Sequence, residues 1–199
     1  MDTTTIALIL IIILAGIMPF VYFRGEKANI GRMKSISKAL QELLQPKDQQ
    51  YKMLGTLVGF EAIFDIKKEL INKVEAVLIL LPRHSLVYFP ISKLTSKSDK
   101  FIFKVMYDVD LHINPSTIER KRKFCGESKK IEINGKKYNI CGKDINKLKN
   151  LLTEEDNELK LERLSYDNKL LFIEYFSSDE RAVRRAVEIM KKATQLYSR

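Results

Sequence analysis

The sequence predicts an α+β protein with one N-terminal transmembrane helix and a mainly antiparallel sheet domain, together with a juxtamembrane helix and a C-terminal helix. An uncharged apolar stretch covers residues 3–23, and apolar side chains then alternate with period two in several segments between residues 58 and 176. A helical period returns after residue 177. Because hairpin signals join the strand-like segments, which do not alternate with helices, an antiparallel sheet is favoured over a Rossmann-like one.

Residues 3–23 have the length and composition of a membrane span. A helix needs about 20 apolar residues to cross the hydrocarbon core. Twelve of these 21 side chains are Ile, Leu, Val or Phe, which together favour insertion by about 4–7 kcal/mol. A cleaved signal peptide would have a basic start, a shorter apolar run and a small-residue cleavage site, whereas residues 17–23 are all bulky. We therefore expect an uncleaved anchor in the lipid bilayer.

The charges beside this span predict its orientation. No Lys or Arg precedes it, and five follow closely: Arg24, Lys27, Arg32, Lys34 and Lys38. The positive-inside rule then places the N-terminus outside a cell membrane and the α+β domain of residues 49–199 in the cytoplasm. In a reducing cytoplasm we expect Cys125 and Cys141 to be free thiols, although a heat-adapted source would favour a disulfide.

Residues 24–48 predict a juxtamembrane helix that continues directly from the span. Ile30, Met33, Leu40 and Leu44 recur at helical spacing, and the helix should stop before Pro46, which cannot continue it. This stripe could pack on its own domain or form a short coiled coil between copies. Only about two heptads fit, too few for a coiled-coil signature, so packing on its own domain is favoured.

Eight segments have strand-like patterns, and we expect six or seven of them to form the sheet. Strand-like segments occupy residues 58–66, 74–81, 101–113, 117–124, 131–133, 136–141, 159–166 and 170–176. Asn134-Gly135 predicts a type I′ hairpin, and Asp167-Asn168 predicts a second hairpin. Residues 144–152 should form a short helix, and a capping box from Ser177 to Glu180 should open the final helix.

Recognised catalytic signatures are absent. The sequence has no GxGxxG, Walker, HExxH or GxSxG motif and no zinc-type cysteine pairing. We therefore favour a non-enzymatic protein and expect no cofactor. Arg83-His84-Ser85, with Ser92 nearby, places a nucleophile beside a histidine. However, adjacent residues of an extended chain point in opposite directions, which disfavours proton transfer between them.

Asp108, Asp110 and His112 form a candidate metal site. Their spacing of two would place them on one face of the expected strand 101–113. Two carboxylates and an imidazole could begin a hard-metal or zinc site if a neighbouring strand added a ligand. The simpler interpretation, which we favour, is the polar face of a half-exposed strand.

A basic cluster is the candidate site for an anionic surface. Its members are Arg120, Lys121, Arg122, Lys123, Lys129, Lys130, Lys136 and Lys137. A solvated edge strand protected by lysines would show the same pattern. Nucleic-acid binding would need exposed aromatics for stacking, and only Phe124 and Tyr138 are candidates.

The net charge of +10 favours polyanionic partners. A domain tethered to a bilayer meets anionic lipid head groups first, at roughly 1 kcal/mol per well-placed Lys or Arg. The favoured hypothesis is a membrane-tethered interaction or scaffold domain, or an accessory subunit of a membrane complex, with a protein partner or a second copy of itself. The alternatives are a membrane-bound metal-dependent enzyme and, least favoured, a tethered nucleic-acid binder.

Overall fold

The computed structural model describes residues 2–68, 70–120 and 129–197. Helix α1 runs without interruption from Thr3 to Leu44, so the expected span and juxtamembrane helix form one helix. Its buried positions all fall in the second half: Gly25, Asn29, Ile36, Ala39, Leu40 and Leu44. They pack on the protein's own domain, as the favoured interpretation predicts. The helix ends where Gln45 adopts a left-handed conformation just before Pro46.

The described residues form one nine-stranded sheet in which all neighbouring strands are antiparallel. The strands are β1 (Asp48–Met53), β2 (Gly59–Lys68), β3 (Ile71–Ile79), β4 (Lys100–Tyr107), β5 (Ser116–Glu119), β6 (Lys129–Ile133), β7 (Lys136–Gly142), β8 (Leu161–Asp167) and β9 (Leu170–Tyr175). The remaining helices are α2 (Tyr88–Thr95), α3 (Ile145–Lys149), α4 (Glu154–Glu158) and α5 (Glu180–Tyr197). The spatial order of the strands is β1-β2-β3-β4-β9-β8-β5-β7-β6. The α+β prediction is confirmed.

Two features of the sheet differ from the sequence expectations. Strand β1 was not predicted, because its six residues are mostly polar and all are exposed. The alternation expected to run to Ile113 ends as a strand at Tyr107, which pairs with Ile71 at the start of β3. Leu111 is nevertheless buried, because the chain folds back and its N–H donates to the Tyr166 hydroxyl.

Local turn signals are largely correct, whereas the capping box expected from Ser177 to Glu180 is replaced by other hydrogen bonds. Asn134 and Gly135 both have positive φ, as a type I′ turn requires. The second hairpin turns one residue later than expected, at Asn168 and Lys169, which also have positive φ. At the start of α5, Asp179 Oδ1 accepts the N–H of Arg181, and the Glu180 carboxylate instead pairs with Arg184.

A buried ion pair and a tyrosine hydroxyl connect α4, β9 and α5. Arg185 and Asp156 are each 1% exposed, and the Arg185 guanidinium donates to both Asp156 oxygens at 2.9–3.1 Å. Tyr175 donates its hydroxyl to Asp156 Oδ1 at 2.5 Å. Burial, and then the Asp156 charge, raise the pKa of Tyr175 well above its ordinary value. The Leu151 carbonyl accepts a further Arg185 hydrogen bond, and Arg185 Nη1 lies 2.8 Å from a carboxylate oxygen of Glu188.

Breaking this pair should be costly. Asp156→Ala removes the buried partner of Arg185 and leaves only the half-exposed Glu188 carboxylate beside its charge. We expect the free energy of unfolding to fall by about 3–5 kcal/mol. Chemical unfolding of the full chain in detergent, followed by circular dichroism, would measure the change. Glu42→Ala, which removes an exposed pair with Lys38, is the control and should cost less than about 1 kcal/mol. Equal losses in the two variants would contradict the assigned role of the buried pair.

Candidate functional site

One buried amide fastens α1 to the sheet domain. Asn29 is fully buried, and its Nδ2 donates to the carbonyls of Leu57 at 2.7 Å and Leu81 at 2.9 Å. Its Oδ1 accepts a hydrogen bond from Arg83 Nη1 at 3.1 Å. Since a buried amide is costly without partners, these bonds fix the helix against the loop before β2 and the segment after β3.

Asp99 continues this network on the other side of Arg83. Its side chain is 5% exposed and accepts two guanidinium hydrogen bonds from Arg83 at 2.8 and 2.9 Å. It also accepts the Leu81 N–H at 2.8 Å and the Ser178 hydroxyl at 2.5 Å. Burial raises the pKa of Asp99, but these hydrogen bonds outweigh it and hold the pKa below its ordinary value. We call Asn29, Arg83, Asp99 and Ser178 the junction cluster.

The backbone of α1 also touches the segment after β3. A Cβ atom at Gly25 would collide with the carbonyl group of Arg83 and the nitrogen of His84. Only glycine therefore permits this approach, one turn before Asn29. The contact places the end of the apolar segment, residues 3–23, directly against the domain.

The apolar segment leaves the domain at one end of the sheet, which we call the junction end. The register brings the ends of β3 and β9 and the starts of β4 and β8 to this end. The opposite, far end contains the β2–β3 and β8–β9 turns and the segment 108–115. The surfaces of the junction end that lie beside β3 and β4 are therefore close to the base of the apolar segment.

Helix α2 presents an uncovered apolar stripe at the junction end. Val87, Tyr88, Ile91 and Leu94 are 59%, 66%, 52% and 79% exposed, respectively. Their spacing places them on one helical face, and no residue of α2 is buried. We call these four residues the α2 patch.

Two residues of the α2 patch, Val87 and Tyr88, border the same cleft as the apolar segment. The cleft has a volume of about 710 Å³ and is lined by Ala15, Met18, Pro19, Tyr22 and Phe23 of α1 and by residues 84–88. The rings of Tyr22 and His84 meet edge to face, with centroids 5.9 Å apart. The segment leading into α2 therefore runs alongside the last part of the apolar segment.

A basic cleft of about 600 Å³ lies at the same end of the sheet. Five cationic residues line it: Lys97, Lys100, Arg120, Lys136 and Lys160. Two carboxylates, Glu158 and Glu162, share the lining. Lys97 and Lys100 directly follow α2, so the cleft continues from the α2 patch. The net positive lining suits an anionic group such as a phosphate.

The structure divides the predicted basic cluster. Arg120 and Lys136 line the basic cleft, and Lys136 Nζ also donates to the Asn157 carbonyl at 2.6 Å. Lys129 and Lys130 are exposed on β6, the last strand of the sheet order, and Lys137 is exposed on β7. Three other members, Lys121, Arg122 and Lys123, lie outside the described residues. Lys97, Lys100 and Lys160 were missed because only the strand register brings these distant segments together.

The strand placement of the predicted metal site is wrong. Asp108, Asp110 and His112 lie in the far-end segment beyond β4, where His112 has positive φ. Asp110 Oδ1 accepts hydrogen bonds from the Tyr166 hydroxyl and the His112 N–H, both at 3.1 Å. Within the described ranges, no three His, Cys, Asp or Glu side chains are arranged to hold a metal ion. The geometry therefore gives the metal hypothesis no support.

The members of the Arg83-His84-Ser85 motif have separate structural roles. Arg83 belongs to the junction cluster, and the His84 ring packs against Tyr22. Ser85 Oγ accepts the N–H of Tyr88 at 3.1 Å and so helps to start α2. The motif thus positions α2 beside α1.

Cys141 differs from the expectation of a free thiol. It is disulfide-bonded, and the only other cysteine of the sequence, Cys125, lies outside the described residues. This bond bears on the cellular compartment, because disulfides persist mainly in oxidising environments.

No protein-family model and no curated protein matches the chain. The functional argument therefore rests on the junction cluster, the α2 patch and the basic cleft.

The junction cluster should give a stability that depends on pH. Asp99→Asn loses charge-assisted hydrogen bonds, and we expect a loss of about 1.5–3 kcal/mol at neutral pH. Because the folded-state pKa of Asp99 is lowered, its stabilisation is complete above the unfolded-state pKa, near 3.8, and is lost as the pH falls through the folded-state value. The difference in unfolding free energy between wild type and variant should thus shrink below about pH 4.

Unfolding curves collected between neutral and acidic pH would test this expectation. Asp167→Asn, at an exposed far-end position, is the control and should change the unfolding free energy by less than about 0.5 kcal/mol. A gap between wild type and Asp99→Asn that stays constant down to the most acidic pH would contradict the assigned role of the Asp99 carboxylate.

Proposed function

We propose that the chain is a single-pass protein of the cell membrane whose domain serves as a membrane-tethered interaction or scaffold module, or as an accessory subunit of a membrane complex. The observation that carries the proposal is α1. Its first half, residues 3–23, is apolar and exposed, and its second half is fixed in the domain by Asn29. One continuous helix therefore joins a segment suited to lipid to a folded module.

The exposure of the apolar segment supports a membrane anchor. The helix is long and apolar enough to span a membrane, and none of its apolar window is buried in the protein. The core helix of a soluble domain would be covered by its own protein. Such a large uncovered apolar surface is typical of a membrane or protein contact, and its length matches the hydrocarbon core.

The junction cluster fixes the orientation of the domain relative to the apolar segment. Because α1 is held by Asn29 and approached closely at Gly25, the domain cannot swing freely about a flexible linker. The junction end then faces the bilayer. Its basic cleft would meet anionic head groups, which attract each nearby Lys or Arg by about 1 kcal/mol.

The flanking charges support a cytoplasmic domain, with the N-terminus outside. Five basic residues follow the span within 15 positions, and the positive-inside rule gives such a segment a cytoplasmic location. The disulfide of Cys141 favours an oxidising compartment. Intracellular proteins of heat-adapted prokaryotes are the exception, and the abundance of Lys fits such a source. Our proposal keeps the cytoplasmic orientation on these grounds.

Strand β1 offers a surface for a protein partner. It ends the sheet order, and all six of its residues are exposed, including Tyr51 and Met53. An edge strand presents unpaired backbone groups to which another chain can add a strand. The opposite edge, β6, carries Lys129 and Lys130, which discourage such pairing. Strand β1 carries one lysine, Lys52, and β6 carries two, so the comparison of the two edges favours β1 as the docking edge.

The anchor can be tested by fractionation. We expect the full chain to sediment with membranes and to resist alkaline carbonate extraction. Leu10→Lys with Ile13→Lys introduces two charges at about 2.5–3.5 kcal/mol each near the helix centre, and this variant should be released. Leu10→Phe with Ile13→Phe is the apolar control and should remain in the membrane. Wild-type chain in the supernatant would reject the membrane proposal.

The orientation can be tested by protease protection. Protease added to inside-out vesicles should digest the domain, because its cytoplasmic side is then accessible. The same protease added to right-side-out vesicles should leave the domain intact. The reverse pattern would place the domain on the outer side and would agree with the disulfide of Cys141.

The interaction role can be tested by co-purification in mild detergent. We expect a partner protein, or a second copy, to remain with the full chain. Met53→Asp places a charge on the exposed edge strand β1 and should lower its recovery, whereas Lys130→Asp on β6 is the matched control. A lone monomer would count against the interaction module. Equal recovery of the partner in both variants would count against β1 as its docking edge.

A further inference from the structure

We infer that α2 is a second membrane contact: an interfacial helix whose apolar patch inserts at the boundary between lipid head groups and acyl chains, beside the transmembrane segment. The inference rests on the proposed membrane anchor and extends the membrane contact to α2, which has no sequence signature of a membrane segment. The occupant of the α2 patch is the lipid bilayer itself.

The cleft between α1 and the segment before α2 indicates how deep the start of α2 would lie in the bilayer. Its α1 lining extends from Phe23 back to Ala15, which are eight residues apart, or about 12 Å along a helix. Residues 84–88 line the other side of the same cleft. Interfacial helices bury their apolar face by about 5–10 Å. When residues 3–23 span the bilayer, the start of α2 therefore lies at the depth of an interfacial helix.

The surface of α2 has the amphipathic character that this location requires. The apolar residues of the patch share one face, and Tyr88 is a residue type enriched at membrane interfaces. Lys93 lies on the helix, and Lys97 and Lys100, which line the basic cleft, follow its end within five residues. Apolar side chains beside lysines suit the boundary between acyl chains and anionic head groups.

The described residues leave the α2 patch uncovered. Helix α2 has eight residues, none of them buried, and helices this short are unstable alone in water. One wall of the adjoining cleft is the apolar segment itself, with Met18 and Pro19. An occupant of that cleft therefore lies at the level of the span, where acyl chains are the surrounding material. This location favours lipid over a soluble partner or a second domain.

The junction cluster fixes the insertion geometry. Arg83 is bound to both Asn29 and Asp99, and Ser85 accepts the N–H of Tyr88 at the start of α2. The His84 ring packs on Tyr22 of α1. Since these contacts tie the start of α2 to the same helix that spans the membrane, α2 is held at a set height and on a set side of α1.

The absence of tryptophan from the sequence permits a direct depth measurement. Four single-tryptophan variants of the full chain are reconstituted into vesicles with lipids brominated at shallow or deep acyl positions. Ile91→Trp reports on the α2 patch, and Tyr88→Trp is a conservative second reporter if the first variant does not fold. Ile13→Trp reports on the span, and Lys149→Trp, exposed on far-end helix α3, is the control.

We expect the emission of the Ile91 reporter to shift to shorter wavelength and to be quenched more by shallow than by deep bromines. The Ile13 reporter should be quenched most by deep bromines, and the Lys149 reporter should not be quenched. Adding Leu94→Asp to Ile91→Trp should reduce the quenching, because a charge opposes burial of the patch.

The outcomes separate this inference from the proposed anchor. If the Ile13 reporter is quenched while the Ile91 and Tyr88 reporters are not, the anchor stands and the interfacial role of α2 is rejected. If the Ile13 reporter is not quenched, the anchor itself fails and the inference falls with it. Quenching of the Lys149 reporter equal to that at Ile91 would reject the specific placement of α2.

Discussion

The buried amide of Asn29 connects the two halves of the molecule, and the other surfaces at the junction end take their positions from it. A helix that emerged through a flexible linker would leave the domain free to rotate beneath its anchor. Here α1 enters the domain as the same helix and is bonded to Leu57 and Leu81 on two separate segments. The height of the basic cleft and the position of α2 follow from this one attachment.

Helix α5 links the junction to the rest of the fold. Ser178, just before α5, bonds to Asp99 in the junction cluster, and Arg185 within α5 forms the buried pair with Asp156. The two polar networks thus share one helix, which also packs against α1. Buried ionic groups stabilise a fold only when each is fully partnered, so both networks demand a defined packing of α5. Because α5 packs against α1, the two networks also fix the position of α1 relative to the sheet.

Local patterns in the sequence predicted most of the elements. The apolar run, the Asn134-Gly135 turn and the stripe of α5 are signals contained within a few residues, and they predict correct structures. Strand β1 was missed because its polar residues are all exposed, so its pairing with β2 leaves no alternation in the sequence. The end of β4 at Tyr107 depends on where β3 begins, which the alternation through Ile113 cannot show.

The candidate site was harder to predict, because its parts come from distant segments. Arg120 and Lys136 were predicted as basic residues, but Lys100 and Lys160 join them only through the register of the sheet. From the sequence alone, Asn29 would be predicted to be an ordinary polar residue of a helix. Its function depends on carbonyl groups 28 and 52 residues away, and no local rule of spacing relates them.

The unbroken path of α1 from Phe23 to Asn29 also constrains the permitted length of this connection. Each residue added to a helix turns everything beyond it by about 100° and advances it by about 1.5 Å. A single insertion here would turn α2 toward a different side of the apolar segment, whereas four insertions would nearly restore the direction but move the domain by about 6 Å along the helix axis. The length of this helical connection therefore sets the rotation of the domain relative to the apolar segment. Insertions and deletions in it should be tolerated far less than in a flexible linker.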